Sequence, residues 1–124
     1  VSVEVLEFRD RAAWEAWLAA CRGEREAWLR IGQESSPHGR LRIGPALEAA
    51  LCFGWIDGHR RGLDEASFLQ RYSPRRARSP WSARNRASAE DLIASGRMRP
   101  AGLAAIEAAR ADGRWDRAAV SRVR

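Results

Sequence analysis

The segment Ser73–Asn85, SPRRARSPWSARN, gathers the side chains of this chain best suited to holding a charged group. Arg75, Arg76 and Arg78 come in one short run, with Arg84 close behind. Guanidinium forks grip phosphate, carboxylate or sulfate through two parallel hydrogen bonds. Ser79 followed by Pro80 reads as an N-cap and the first residue of a helix. The free amides of such a helix start add a second reason for an anion to settle there. Ser82 completes that cradle, and Trp81 and Asn85, about one turn apart, line its mouth. The competing reading is an arginine-rich surface loop that is solvated or paired with acids. The segment points to the class of group bound, and no reaction follows from it.

A second constellation begins at Trp55-Ile56-Asp57-Gly58. As a strand, strict alternation puts Trp55, Asp57, His59 and Arg61 on one face. Asp57 is a candidate acid/base or the orienter of an arginine, and a plain structural ion pair weighs equally. His59 is a candidate general base without a Ser or Cys partner at a recognisable spacing, and a solvated imidazole is the competing reading. His38 sits in a polar loop and is read the same way. Arg71, on the strand expected to pair with this one, is placed on the same cleft as Asp57 or Arg60, with the register left open. Cys52 lies in no nucleophile motif. There is no P-loop, GxGxxG, HExxH or paired cysteine set, so neither a metal nor a nucleotide cofactor has a motif behind it.

The elements that must position these residues follow from hydrophobic spacing and punctuation. Val3, Val5 and Phe8 open as a short strand. Asp10 caps a helix with Trp14, Trp17, Leu18 and Cys21 on one face, ended by Gly23. Ala27 to Ile31 reads as a strand, Trp28 and Arg30 facing one way and Leu29 and Ile31 the other. Gln33 to Arg40, with Pro37 and Gly39, is a turn. Pro45 marks the first turn of a second helix that buries Leu47, Ala50 and Leu51 and stops at Gly54. Trp55 to Leu63 and Ser67 to Ser73 form an antiparallel pair around Asp64 and Glu65, in which Gly58 and Gly62 mark bulges or close backbone approach. A helix from Ser79 to about Ser95 carries Trp81, Asn85, Leu92 and Ile93 on one face. Pro100 opens a last helix burying Leu103, Ile106 and Ala109, and Trp115 packs the tail. The order β-α-β-α-β-β-α-α predicts one α+β domain over residues 1–124, with a small, mostly antiparallel sheet and about four helices.

Composition narrows the partners. Of the residues, 45% are hydrophobic and 31% charged, which fits a folded globular chain. The net charge is +6, carried by 22 arginines and no lysine. That balance suits nucleic acid, an anionic surface or a phosphorylated substrate. An arginine-for-lysine bias of this kind is the mark of a GC-rich genome, so only clustered arginines carry weight. The six tryptophans fall mostly beside Leu, Ile or Ala and read as core, with base stacking as the alternative. Cys21 and Cys52 read as small buried thiols. The start Val1-Ser2-Val3-Glu4 has no export signature, and the longest apolar run, Ala49 to Ile56, is too short to span a bilayer. The expected compartment is the cytoplasm, with a leader removed by processing left open.

Four blocks together resemble a known bacterial family. They are WEAWL (Trp14–Leu18), ALEAALCFGWIDG (Ala46–Gly58), LQRYSPRRARSPWSARN (Leu69–Asn85) and GRMRPAGLAAIEAARADGRW (Gly96–Trp115). In order and spacing they resemble the YdeI/OmpD-associated proteins, also called bacteriocin-protection proteins. The resemblance implies a role in protection against antimicrobial peptides and an association with an outer-membrane porin. A chain at +6 repels cationic peptides within a Debye length, so the protection expected is indirect.

Three function classes stay in view. The leading one is a binding protein that takes an anion in an Arg/Trp-lined cleft between the Trp55–Arg61/Leu69–Ser73 strand pair and the Arg75–Asn85 segment. The second is a small enzyme acting on a phosphorylated or carboxylated metabolite, with Asp57 or His59 as acid/base. The third is a nucleic-acid-binding module with a basic face. Ligand identity and oligomeric state are not encoded in any motif.

Overall fold

In a computed structural model, residues 4–21, 23–33 and 40–122 are described. Val3, His38 and the Pro37/Gly39 turn lie outside them. The elements are β1 (Val5–Leu6), α1 (Arg11–Ala20), β2 (Ala27–Gly32), α2 (Ile43–Cys52), β3 (Trp55–Gly62), β4 (Ser67–Pro74), α3 (Ala83–Ala94), α4 (Pro100–Ala111) and α5 (Arg114–Arg122). This is an α+β fold in the expected order, with α5 following the last helix foreseen. The four strands lie in the order β1-β2-β4-β3. β1 runs parallel to β2, and β2 antiparallel to β4. The chain packs as two compact units, Val1–Ala50 with Ile56–Pro74, and Leu51–Trp55 with Arg75–Arg124.

In the first unit the β2–β4 register sets two faces. Trp28 lies opposite Arg71 and Arg30 opposite Leu69, while Leu29 lies opposite Gln70 and Ile31 opposite Phe68. The second set, with Tyr72, faces α1 and α2. Trp14, wholly buried on α1, brings its ring 5.6 Å from Tyr72 and 5.4 Å from Phe8. Its indole N–H donates to the carbonyl of Ala46 at 3.0 Å, so one side chain ties α1, α2 and the sheet together. Asp10 caps α1 as expected, its carboxylate accepting from the Ala13 amide at 3.0 Å.

The other face of the sheet is roofed by arginine stems. Arg61 lies over the Trp28 ring at 5.1 Å. Arg30 donates to the Ser67 hydroxyl and pairs with Asp64 and Glu7, and Arg71 pairs with Glu26 at 2.7 Å. Long aliphatic stems let these cations cover Trp28 and Leu69 while their heads stay wet.

β3 departs from strict alternation. A Cβ on Gly58 would lie 3.9 Å from the Cβ of Arg71, so Gly58 faces the arginine-covered side. Two residues on, Arg60 lies over Phe68 at 4.3 Å, on the helix-covered side. One residue between them is therefore out of step, as in a β-bulge. Gln70, 2% exposed, repairs the break: its amide donates to the carbonyls of Gly58 and His59 at 3.0 and 3.2 Å. The expectation that Trp55, Asp57, His59 and Arg61 share one face fails for this reason.

In the second unit Ala89, Leu92, Ile106, Ala109, Trp115 and Ala118 are buried, with Trp81 among them. α4 presses on the end of α2: the Arg99 amide donates to the Cys52 carbonyl at 3.1 Å. Gly102 makes the approach possible. A Cβ there would sit 2.5 Å from the Cys52 carbonyl oxygen and 2.7 Å from that of Leu51.

Other sequence expectations shift. Leu103 is 39% exposed, because Gly102, Ile106 and Ala109 form the buried stripe of α4 and Leu103 stands beside it. α2 starts at Ile43 and has Pro45 in its first turn as expected, but Leu47 is only half-buried there. Cys52 is buried, but Cys21 is half-buried, with its thiol 3.0 Å from Glu24.

Two outcomes follow. Gly102→Ala drives a methyl into backbone that cannot swing aside, and should lower unfolding free energy by about 1–3 kcal/mol in urea titrations. Asp64 accepts from the Ser67 hydroxyl, the Ala66 amide and Arg30, and these contacts, led by Ser67, hold its carboxyl below the usual range. A depressed carboxyl contributes stability above its unfolded value, which is lost as pH falls through the folded one. The urea midpoint should therefore fall between about pH 5 and pH 3, and fall less in Asp64→Asn.

Candidate anion site

The Arg75–Ser82 loop belongs wholly to the second unit. Its anchor is Trp81, 6% exposed, whose ring meets Trp115 edge-on at 5.0 Å. The Arg75 guanidinium lies on the Trp81 ring at 3.6 Å and donates to the Pro80 carbonyl at 3.2 Å. Such stacking leaves the in-plane N–H groups of a guanidinium usable. Trp115 carries Arg86 and Arg110 at 5.1 and 5.4 Å. Arg86 also donates to the Trp115 carbonyl at 2.8 Å.

The loop is fixed at its apex as well. The Ser79 hydroxyl accepts from the Arg76 amide at 2.9 Å, and the Ser79 amide donates back to the Arg76 carbonyl. Arg114, 9% exposed, donates to the Ser79 carbonyl at 2.7 Å while its Nε is held by Asp112. Ser79 is thus a turn residue. The N-cap of α3 is Ser82, whose hydroxyl accepts from the Asn85 amide at 3.0 Å. The Ser-Pro pair misled because it satisfies the cap rule by type, while the hydrogen bonds place the first helical residue at Ala83.

With Asn85 served by Ser82, the amides of Ala83 and Arg84 make no hydrogen bond among the described residues. No acid occupies the first turn of α3, and Arg84 stands in it. Cations at a helix N-terminus meet the positive end of the dipole. Arg76, Arg78 and Arg84 are exposed and form no ion pair among the described residues. The result is a rigid loop with concentrated positive charge and no counter-charge of its own.

The remaining candidates divide between the units. Trp55 is buried in the second. Asp57, His59, Arg60, Arg61 and Arg71 belong to the first. Asp57 and His59 are exposed, and their side chains have no hydrogen-bond partner among the described residues. Arg71 is committed to Glu26, Arg61 to Trp28, and Arg60 to Phe68 and Gln70.

The roles of Arg114 and Arg86 carry no signal in the sequence. Arg114 reaches a carbonyl 35 residues away, and nothing local marks that. A buried Tyr72 was detectable only as an aromatic on an alternating strand.

Among the described residues no helix is long and apolar enough to cross a membrane. No curated protein and no solved structure matches this chain. A family model described as a domain of unknown function, DUF8412, matches residues 6–105, from β1 into α4, and takes in the whole loop. The chain therefore belongs to the DUF8412 family.

Proposed function

We propose that this protein binds an anionic ligand, carrying phosphate or carboxylate, on the Arg75–Asn85 segment. The observation behind this reading is that Arg76 and Arg78 in the loop before α3, and Arg84 in its first turn, are exposed with no carboxylate partner among the described residues, and that the Ser82 cap serves only the Asn85 amide. Arg75 on Trp81 holds the base of the loop, and Arg114 holds its apex. A bound anion would relieve the repulsion between these cations and the helix dipole. The role that accompanies binding, drawn from the resemblance to the bacteriocin-protection proteins, is stress or antimicrobial protection by an indirect route.

The nucleic-acid reading is less favoured. In the first unit the arginines alternate with acids, Arg30 and Arg40 with Glu7, Arg30 with Asp64, Arg71 with Glu26. Such pairing withdraws them from a continuous phosphate track.

Titration calorimetry with inorganic phosphate and pyrophosphate, at low and high salt, tests the proposal. Replacing both Arg76 and Arg78 by alanine should weaken binding about tenfold or more, the loss expected for charge-assisted hydrogen bonds. Arg61→Ala should leave it unchanged. Equal affinity in the double variant would place the anion elsewhere. Ser82→Ala should separately cost about 1 kcal/mol of stability through the lost cap.

A further inference from the structure

Two consecutive residues at the head of α5, Arg114 and Trp115, hold the Arg75–Asn85 segment at separate points. Arg114 donates to the Ser79 carbonyl at 2.7 Å. Ser79 in turn exchanges hydrogen bonds with the Arg76 backbone through its hydroxyl and its amide. Trp115 meets Trp81 edge-on at 5.0 Å, and its carbonyl accepts from Arg86 of α3 at 2.8 Å. The loop apex, its indole anchor and the helix that follows are therefore all tied to one turn of α5.

That turn is itself set by one acid. Asp112, the C-cap of α4, accepts from the Arg114 Nε at 2.8 and 2.9 Å and from the Arg114 amide at 3.2 Å. Gly113 between them takes φ +86°, which lets α4 end and α5 begin without an intervening loop. The Arg114 guanidinium is thus held at Nε by Asp112 and spends a terminal nitrogen on Ser79. It is 9% exposed, whereas Arg76 and Arg78 are exposed.

We propose that Arg114, oriented by Asp112, is a positioning residue for the anion segment, so that anion binding at Arg76 and Arg78 and docking of the head of α5 favour each other. This rests on the anion reading above. A loop free at its apex must be ordered as the anion arrives, and that entropy is subtracted from affinity. The coupling is reciprocal: the factor by which the docked helix tightens binding is the factor by which a bound anion protects the helix.

The discriminating variant is Asp112→Asn. It removes a negative charge one side chain away from the loop and leaves every arginine in place. Attraction by net charge alone would make pyrophosphate bind this variant more tightly than the wild type. Positioning through Arg114 makes it bind about fivefold more weakly, or worse. Arg114→Ala should lose about tenfold, and Arg114→Lys should not restore it, because an ammonium group lacks the fork that spans Asp112 and Ser79. Affinities are read by titration calorimetry at low salt, on variants shown by urea titration to be folded.

Hydrogen exchange gives the reciprocal readout and needs no variant. The Arg117 amide donates to the Gly113 carbonyl at 3.1 Å and closes the first turn of α5. Saturating pyrophosphate should slow its exchange about fivefold in the wild type and leave it unchanged in Arg114→Ala. A wild type that takes up no pyrophosphate overturns the anion reading and this inference with it. Wild-type binding with equal or tighter binding in Asp112→Asn, or with an Arg117 amide indifferent to pyrophosphate, overturns the coupling alone.

Discussion

The seating of the Arg75 guanidinium on the Trp81 ring is the contact on which the second unit's candidate site rests. It brings a cation down onto the apolar body of the unit, where a solvated side chain would otherwise wander. Trp81 is held in turn by Trp115, and Trp115 by Arg86 and Arg110, so aromatic faces and guanidinium planes form one stack. The entropy lost in fixing a loop of this length is met by a buried indole and a buried arginine tether. The exposed arginines at its crest are then displayed on a fixed frame.

The same residue type serves two ends in this protein. Across the sheet, arginines act as roofing: their stems cover Trp28 and Leu69, and Glu7, Glu26 and Asp64 neutralise their heads. At the start of α3, where the helix dipole makes cations least welcome, no acid lies in the first turn, and Arg84 forms no ion pair among the described residues. Total charge, which is what composition reports, does not separate these cases. The position of acids does, and those acids come from distant parts of the chain.

Much of the architecture was legible because its signals are local. Asp10 before an apolar-periodic run, Pro100 at a helix start and the alternation of β2 each depend on neighbours a few residues away. Even the Arg75–Arg78 cluster declared itself by simple proximity. What failed depended on pairing across the chain. Ser79 looked like a cap until the hydrogen bonds gave that role to Ser82. The face of Asp57 was misjudged because one bulge in β3 reverses the pleat, and only the contacts of Gly58 and Arg60 reveal it. Leu103 was counted as core because it is apolar, yet Gly102, with no side chain at all, occupies the contact line of α4. Membership of the compact units had no local signal either: Trp55 goes with the Arg75–Asn85 segment, and Asp57, His59, Arg60, Arg61 and Arg71 with the first unit.

The ionisable groups within Arg75–Asn85 are guanidinium groups alone; the segment holds no histidine, lysine, cysteine, tyrosine or acid. A guanidinium offers several hydrogen-bond donors and no acceptor. The arginine side chains of this loop can therefore meet a guest only as donors, so a molecule held by them must bring the acceptor oxygens itself, and one whose polar groups are all donors finds no complement there.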